Sequence, residues 1–312
     1  MCCLFGVIDY HHNLTAKQKN HILSVLAAAC EARGADATGI AYNSHGKLRI
    51  YKRPVPGHWM RFNAPGDAWA IMGHTRMTTQ GSAKKNYNNH PFPGSTKGGT
   101  FALAHNGVLY NDARLRRVLT LPKTKIETDS YIAVQLLEQQ KALDFDSLKF
   151  MAEQVEGSFT FTVLNQQNCL YIVKGDNPMC LYHFPALGLY LYASTEEILQ
   201  RALSKLYLSA KRINKIKLDC GEILCINEVG KTTRSQFDDS NLLSSRYGPL
   251  WRNYPYSGRQ KAAPKLTVPE SYLEEVKSVA SAFGYTPEAI DRLAAMGFSA
   301  EELEEFLYCG EL

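Results

Sequence analysis

The first apolar run, Leu4 to Ile8, starts almost at the beginning of the chain and predicts a short buried strand. Thr15 then caps a helix reaching about Glu31, with Ile22, Leu23, Leu26 and Ala27 on its apolar face and Gly34 ending it. Two strand-like runs follow, Gly39 to Asn43 and Leu48 to Lys52, joined by the turn Ser44-His45-Gly46. Trp69 to Gly73 and Phe101 to Ala104 are further short apolar strands. Between them Lys84 to Gly99, polar and rich in Asn, Pro and Gly, reads as a long loop. Structureless loops of that length are uncommon unless they are functional or disordered.

Helical patterns cover Asp112 to Leu119, Asp129 to Gln139 and Phe145 to Val155. The period then returns to two: Ser158 to Leu164, Leu170 to Lys174, Met179 to His183 and Leu187 to Ala193 predict an antiparallel meander with tight turns such as Gly175-Asp176-Asn177-Pro178. Thr195 begins a short helix to Leu206, and Glu222 to Asn227 is read as the final strand. Strands apolar on both faces need cover on each side, which predicts two sheets sandwiched between helical layers. Composition shifts after residue 234. Residues 235–265 read as a linker or surface-wrapping segment, and residues 266–312 as a small helical bundle with candidate helices Glu270 to Phe283, Pro287 to Met296 and Ala300 to Tyr308. The main domain is therefore expected over residues 2–234.

A length of 312 residues with 45% hydrophobic and 21% charged residues describes a globular chain able to bury a core without disulfides. The net charge of +5 is weak and no basic block with interleaved aromatics occurs, so neither nucleic acid nor a membrane is expected as a partner. The eight cysteines follow neither a zinc nor a disulfide-framework spacing, so no metal is expected. With no signal-peptide pattern and no long apolar run, the expected compartment is the cytoplasm, where a free reactive thiol persists.

Cys2 is the residue that changes the picture. Removal of Met1 would make it the first residue, with an α-amine of pKa near 7.7–8.0 beside its own thiol. Such an amine can accept the thiol proton, making a nucleophile without a histidine. Taken alone, Cys2 reads as a buried N-terminal residue of the first strand. Further motifs follow in order: Arg33-Gly34-Ala35-Asp36-Ala37-Thr38-Gly39, Gly73-His74-Thr75-Arg76-Met77-Thr78-Thr79-Gln80-Gly81, Asn89-His90-Pro91-Phe92, Ala104-His105-Asn106-Gly107-Val108, and Glu127-Thr128-Asp129-Ser130. With Cys2 and Leu4-Phe5-Gly6 before them, these resemble the class II glutamine amidotransferases over about residues 2–230.

That resemblance implies an α+β fold, the four-layer αββα sandwich of the N-terminal nucleophile hydrolases, here followed by a small C-terminal helical unit. It implies hydrolysis of the glutamine side-chain amide through a Cys2 thioester, with no cofactor. Cys2, Asn106 and Gly107 take the catalytic roles, the Asn106 amide and the Gly107 N–H holding the oxyanion. Arg76 and Asp129 take the substrate carboxylate and ammonium, with Thr79 and His90 placed beside them. Arg33, Asp36 and His74 are expected to support the site structurally. Cys3, which follows the nucleophile where relatives commonly have glycine, points the other way in an extended strand and is read as packing. Met77 and Gln80 depart from the family's aromatic and histidine, and neither supplies charge to the chemistry.

The tail has no nucleotide-binding glycine pattern and is too short for a synthase domain, so a stand-alone glutaminase is expected. Its ammonia would go to an acceptor on another chain, with residues 266–312 as a docking module or as packing against the catalytic domain. Two competing readings remain at this point: the same fold hydrolysing a different amide, and an inactive binding or assembly protein.

Overall fold

The computed structural model describes residues 2–206, 208 and 212–242, together with 274, 276–278, 280, 286–288, 290 and 291. Two compact units divide the chain, Met1–Trp251 and Arg252–Leu312. In the second, the described residues of 274–280 and 287–291 are helical; Val276, Ala280 and Ile290 are buried, and Lys277 pairs with Glu274 at 2.9 Å and Asp291 at 2.7 Å. The third candidate helix, Ala300 to Tyr308, and residues 243–265 of the 235–265 segment lie outside the described residues.

The first unit is mixed α/β with two antiparallel sheets. Strand β1 (Cys3–Asp9) runs down the middle of the first, between β4 (Ala70–Arg76) and β10 (Leu189–Ala193). Beyond β4 lie β2 (Ala37–Ser44) and β3 (Lys47–Arg53). Beyond β10 lie β9 (Cys180–Phe184) and β11 (Asn214–Ile216). The second sheet has the order β13 (Thr232–Gln236), β12 (Glu222–Ile226), β8 (Leu170–Lys174), β7 (Gly157–Asn165), β6 (Gly99–Leu109), β5 (Phe92–Thr96).

Period-two alternation sorts the side chains into three cores. Cys3, Phe5 and Val7 pack with Ile22, Leu23 and Leu26 of α1 (Ala16–Cys30) and with Ile198 and Leu199 of α5 (Glu196–Leu203). Leu4 and Ile8, on the other face of the same strand, pack with Ala102, Ala104, Ile172 and Leu224 of the second sheet. On the far face of that sheet, Leu103, Phe161 and Val163 pack with Ile132 and Leu136 of α3 (Tyr131–Gln140) and Leu148 and Met151 of α4 (Phe145–Gln154). A short helix α2 (Asp112–Val118) precedes α3. Helix α1 starts as the chain pattern requires: Thr15 Oγ1 accepts from Gln18 N at 3.3 Å while Gln18 Oε1 accepts from Thr15 N at 2.9 Å.

Several strand assignments need correction. The stretch from Lys84 to Gly99 is not one loop: it holds a 3-10 turn, Asn86–Asn88, and the edge strand β5. Pro93 hid that strand, since proline lacks a ladder donor and is tolerated only at a sheet edge, where β5 lies. The four runs after Ser158 are not a single meander. β7 and β8 belong to the second sheet and β9 and β10 to the first, the chain crossing between sheets through Gly175-Asp176-Asn177-Pro178. Glu222–Ile226 is not the last strand, because β13 follows and pairs with it, and a further short strand, β11, precedes it and pairs with β9. Their polar sequences, TTRSQ and NKI, lie at sheet edges and carry no apolar period. Phe237 and Leu242 are also buried in the core beneath α3 and α4, so the ordered unit continues past residue 234.

Candidate active site

Register assembles the site. Cys3 pairs with Thr75, which sets Cys2 across from Arg76 at the end of the first sheet. Alternation sends Cys2 to the face of Leu4, Arg76 and His74 to the face of Met72, and Asn106 to that of Ala104; all of these faces line the gap between the sheets. Cys2, beside the first sheet, and Asn106–Gly107 of the second, 104 and 105 positions on in the sequence, are thereby brought to one end of that gap.

A small cavity opens there, lined by Cys2, Arg76, Thr79, His90, Gly107 and Asp129 with Met77, Gln80, His105, Thr128 and Ser130. Cys2 Sγ lies 3.5 Å from the Met77 carbonyl. Burial pushes the Cys2 thiol pKa up; the Arg76 guanidinium pulls against that rise and Asp129 adds to it. The thiol is therefore protonated at rest and needs a base.

Arg76 is buried and braced. Its Nη1 donates to Asn89 Oδ1 at 2.7 Å, and its Nη2 to the Gln80 carbonyl and, at 3.2 Å, to the Gly81 carbonyl, leaving N–H donors over for a ligand. Asp129 sits just before α3. Its Oδ2 accepts from Leu109 N at 2.7 Å and its Oδ1 from Ser130 Oγ at 3.2 Å, so a buried anion faces the cavity with acceptor capacity remaining. Gly107 adopts φ +144°, and a Cβ there would meet the Ser158 carbonyl at 1.9 Å, so only glycine brings this backbone to the cavity wall.

The supporting residues separate by task. Arg33 Nε donates to the Cys2 carbonyl at 3.0 Å, holding the start of the chain. Asp36 Oδ2 accepts from Thr78 N at 2.7 Å, and Asp36 N donates to the Arg76 carbonyl at 2.9 Å, holding the segment after β4. His74, His90 and His105 form a buried group. The rings of His74 and His90 are 4.2 Å apart, His74 Nε2 bonds the His105 carbonyl at 2.9 Å, and His105 Nδ1 meets Ser130 Oγ at 2.8 Å. Burial keeps all three neutral, with His74 pushed down to about 3. His90 alone of these leaves both ring nitrogens buried without a partner while lining the cavity. His74, Arg33, Asp36 and Asn106 do not line it.

Two contributors were not legible as such in the sequence. Gln80, read only as a departure, uses its side-chain Oε1 to accept from Asp129 N at 2.7 Å, tying the Arg76 segment to the anion's segment. Ser194 Oγ accepts from Leu4 N at 2.8 Å and from Asn106 Nδ2 at 3.4 Å. Neither contact has a local signal, since the partners are 49 or more positions away.

The fold is similar to that of a solved amidotransferase. The structure of glutamine phosphoribosylpyrophosphate amidotransferase from B. subtilis superposes with a TM-score of 0.61 at 20% identity, over 79% of this chain and 52% of that one. Residues 74–201 match the model of the glutamine amidotransferase domain family. Glutamine–fructose-6-phosphate aminotransferase [isomerizing] of Bacillus licheniformis is 30% identical over 184 residues, 56% of this chain and 29% of that protein. The enzyme of the same name from Lactococcus lactis is 27% identical over 191 residues, 58% and 30% respectively. Over this domain the chain is similar to the glutamine amidotransferases, and it spans about three-tenths of the length of these curated relatives. No described helix is long and apolar enough to cross a membrane.

Proposed function

We propose that the first unit hydrolyses the side-chain amide of glutamine to glutamate and ammonia, with Cys2 as nucleophile after removal of Met1. The observation that carries this reading is the placing of Cys2 across from Arg76, in one cavity with Asp129 and Gly107. A thiol, a fixed cation and a fixed anion are what an amino acid with a reactive side-chain amide requires.

In this mechanism Arg76 holds the α-carboxylate and Asp129 the α-ammonium, with Thr79 and His90 shaping the remaining wall. The freed Cys2 amine takes the thiol proton, and Sγ bonds to the amide carbon. Negative charge moves to the oxygen, where the Asn106 side chain and the Gly107 N–H stabilise it; one such donor is worth about 2.7–4 kcal/mol. The carbon–nitrogen bond then breaks, and the nitrogen carries off the proton held by the amine as ammonia. Water attacks the thioester, glutamate leaves, and the thiol recovers its proton. The neutral histidines give the cavity a wall that neither competes for the carboxylate nor repels Arg76.

The three cores support the finer architecture, an αββα sandwich in which the catalytic gap lies between the inner layers. Treatment with a glutamine-analogue electrophile that alkylates thiols, followed by peptide mapping, tests the core of the proposal. Labelling at Cys2 that excess glutamine suppresses, and turnover lost in C2A and R76A, are expected. Met1 retained in fully active protein would refute it.

A further inference from the structure

We infer that Ser194 is a positioning residue, which aims the Asn106 amide at the developing oxyanion; this inference rests on the glutaminase reading above. Strand β10 pairs Ala193 with Phe5, so the next residue, Ser194, falls beside Leu4 at the catalytic end of the first sheet. Its side chain is fully buried. From there the hydroxyl reaches across to the second sheet, accepting from Asn106 Nδ2 at 3.4 Å as well as from Leu4 N at 2.8 Å.

A serine hydroxyl has two acceptor lone pairs and one proton. The lone pairs are taken by Leu4 N–H and Asn106 Nδ2–H. Ser194 is therefore held as an acceptor, and it selects the nitrogen end of the Asn106 amide over the oxygen end. At the other end of the amide, Asn106 Oδ1 is buried without a hydrogen-bond partner. Leaving a buried carbonyl unsatisfied is unfavourable, and such a group in a folded protein signals a constraint from elsewhere. With one Nδ2 hydrogen fixed on Ser194, the second is directed about 120° away and is free for the oxyanion. The same serine ties the nucleophile's strand to the donor, so the two sides of the reacting carbon share one hydrogen-bonded hub.

The test is S194A in the full chain, with kcat and KM for glutamine, the rate at which iodoacetamide alkylates Cys2, and the double-mutant cycle with N106A. Alkylation builds no oxyanion, so it reports on the nucleophile alone. We expect kcat to fall about tenfold to hundredfold, part of the loss that follows removal of an oxyanion donor, with KM within about twofold and the alkylation rate unchanged. In the N106A background S194A should add nothing. Should S194A fold poorly, S194C, a weaker acceptor of similar shape, should give the same pattern with a smaller loss. Unchanged kcat, an equal drop in alkylation, or additivity with N106A would overturn the role assigned to Ser194. Each of these requires C2A to abolish wild-type turnover; if C2A turns over normally, the glutaminase reading itself fails.

Discussion

Gly34 touches no substrate, yet replacing it with alanine should disable the site. Its backbone lies against the strand that carries Arg76, and a Cβ there would stand 2.5 Å from Arg76 C and Met77 N and 2.8 Å from the Arg76 carbonyl oxygen. Carbon atoms rest about 3.5–4.0 Å apart, so the Arg76–Met77 peptide must retreat by roughly 1 Å. That peptide cannot move alone. The Arg76 carbonyl accepts from Asp36 N, and the Met77 carbonyl faces Cys2 Sγ. A displacement of roughly 1 Å at reacting groups costs about a hundredfold in rate, while overpacking of this kind destabilises by about 1–3 kcal/mol. G34A is therefore expected to fold, to melt a few degrees lower, and to lose about a hundredfold in kcat/KM for glutamine. Steady-state glutamate release and thermal unfolding measure the two effects separately. G66A is the control, since nothing lies within 4 Å of its Cβ; it should change neither. A folded G34A within about twofold of wild-type kcat/KM would refute the argument that Gly34 sets the position of Arg76.

Three further outcomes follow from the same geometry. D129N keeps an oxygen for Leu109 N but removes the charge; a charge-assisted bond is worth about 1.5–3 kcal/mol, so KM for glutamine should rise roughly tenfold to a hundredfold, and an unchanged KM would exclude Asp129 as the ammonium site. K19M removes the buried partner 3.3 Å from Asp9, leaving that carboxylate only the Asn13 and Leu14 N–H groups; urea unfolding should show a loss of about 3–5 kcal/mol. Stability should also fall with acid. His74 stays neutral in the folded state down to about 3, whereas in the unfolded chain it takes a proton near 6.5, so the unfolded state is favoured progressively as pH drops through that window. The slope is about 1.4 kcal/mol per pH unit, or about 2 kcal/mol by pH 5; replacing His74 by a neutral residue should flatten the pH dependence of urea unfolding.

Local chemistry in the chain was sufficient for what depends on neighbours in sequence. The capping box at Thr15, the turn at Ser44-His45-Gly46, the alternation along β1 and the motifs around Arg76, Asn106 and Asp129 could all be read directly. Alternation even implied that Cys2 and Cys3 face opposite ways, as Cys3 does in packing under α1. Which strands share a sheet was decided by tertiary structure. Period two says that a strand has two faces, and is silent about its partner; hence β8 and β9, contiguous in sequence and joined by a tight turn, belong to different sheets. Polar edge strands such as β11 and β13 have no apolar face to display. The same holds at the site. Residue types identified the chemistry, but register placed Cys2 opposite Arg76, and only the stacking of two sheets could bring Ser194 to Asn106 and Gln80 to Asp129. Those contacts are made by single hydrogen bonds across long sequence separations, which leave no periodic trace in the chain.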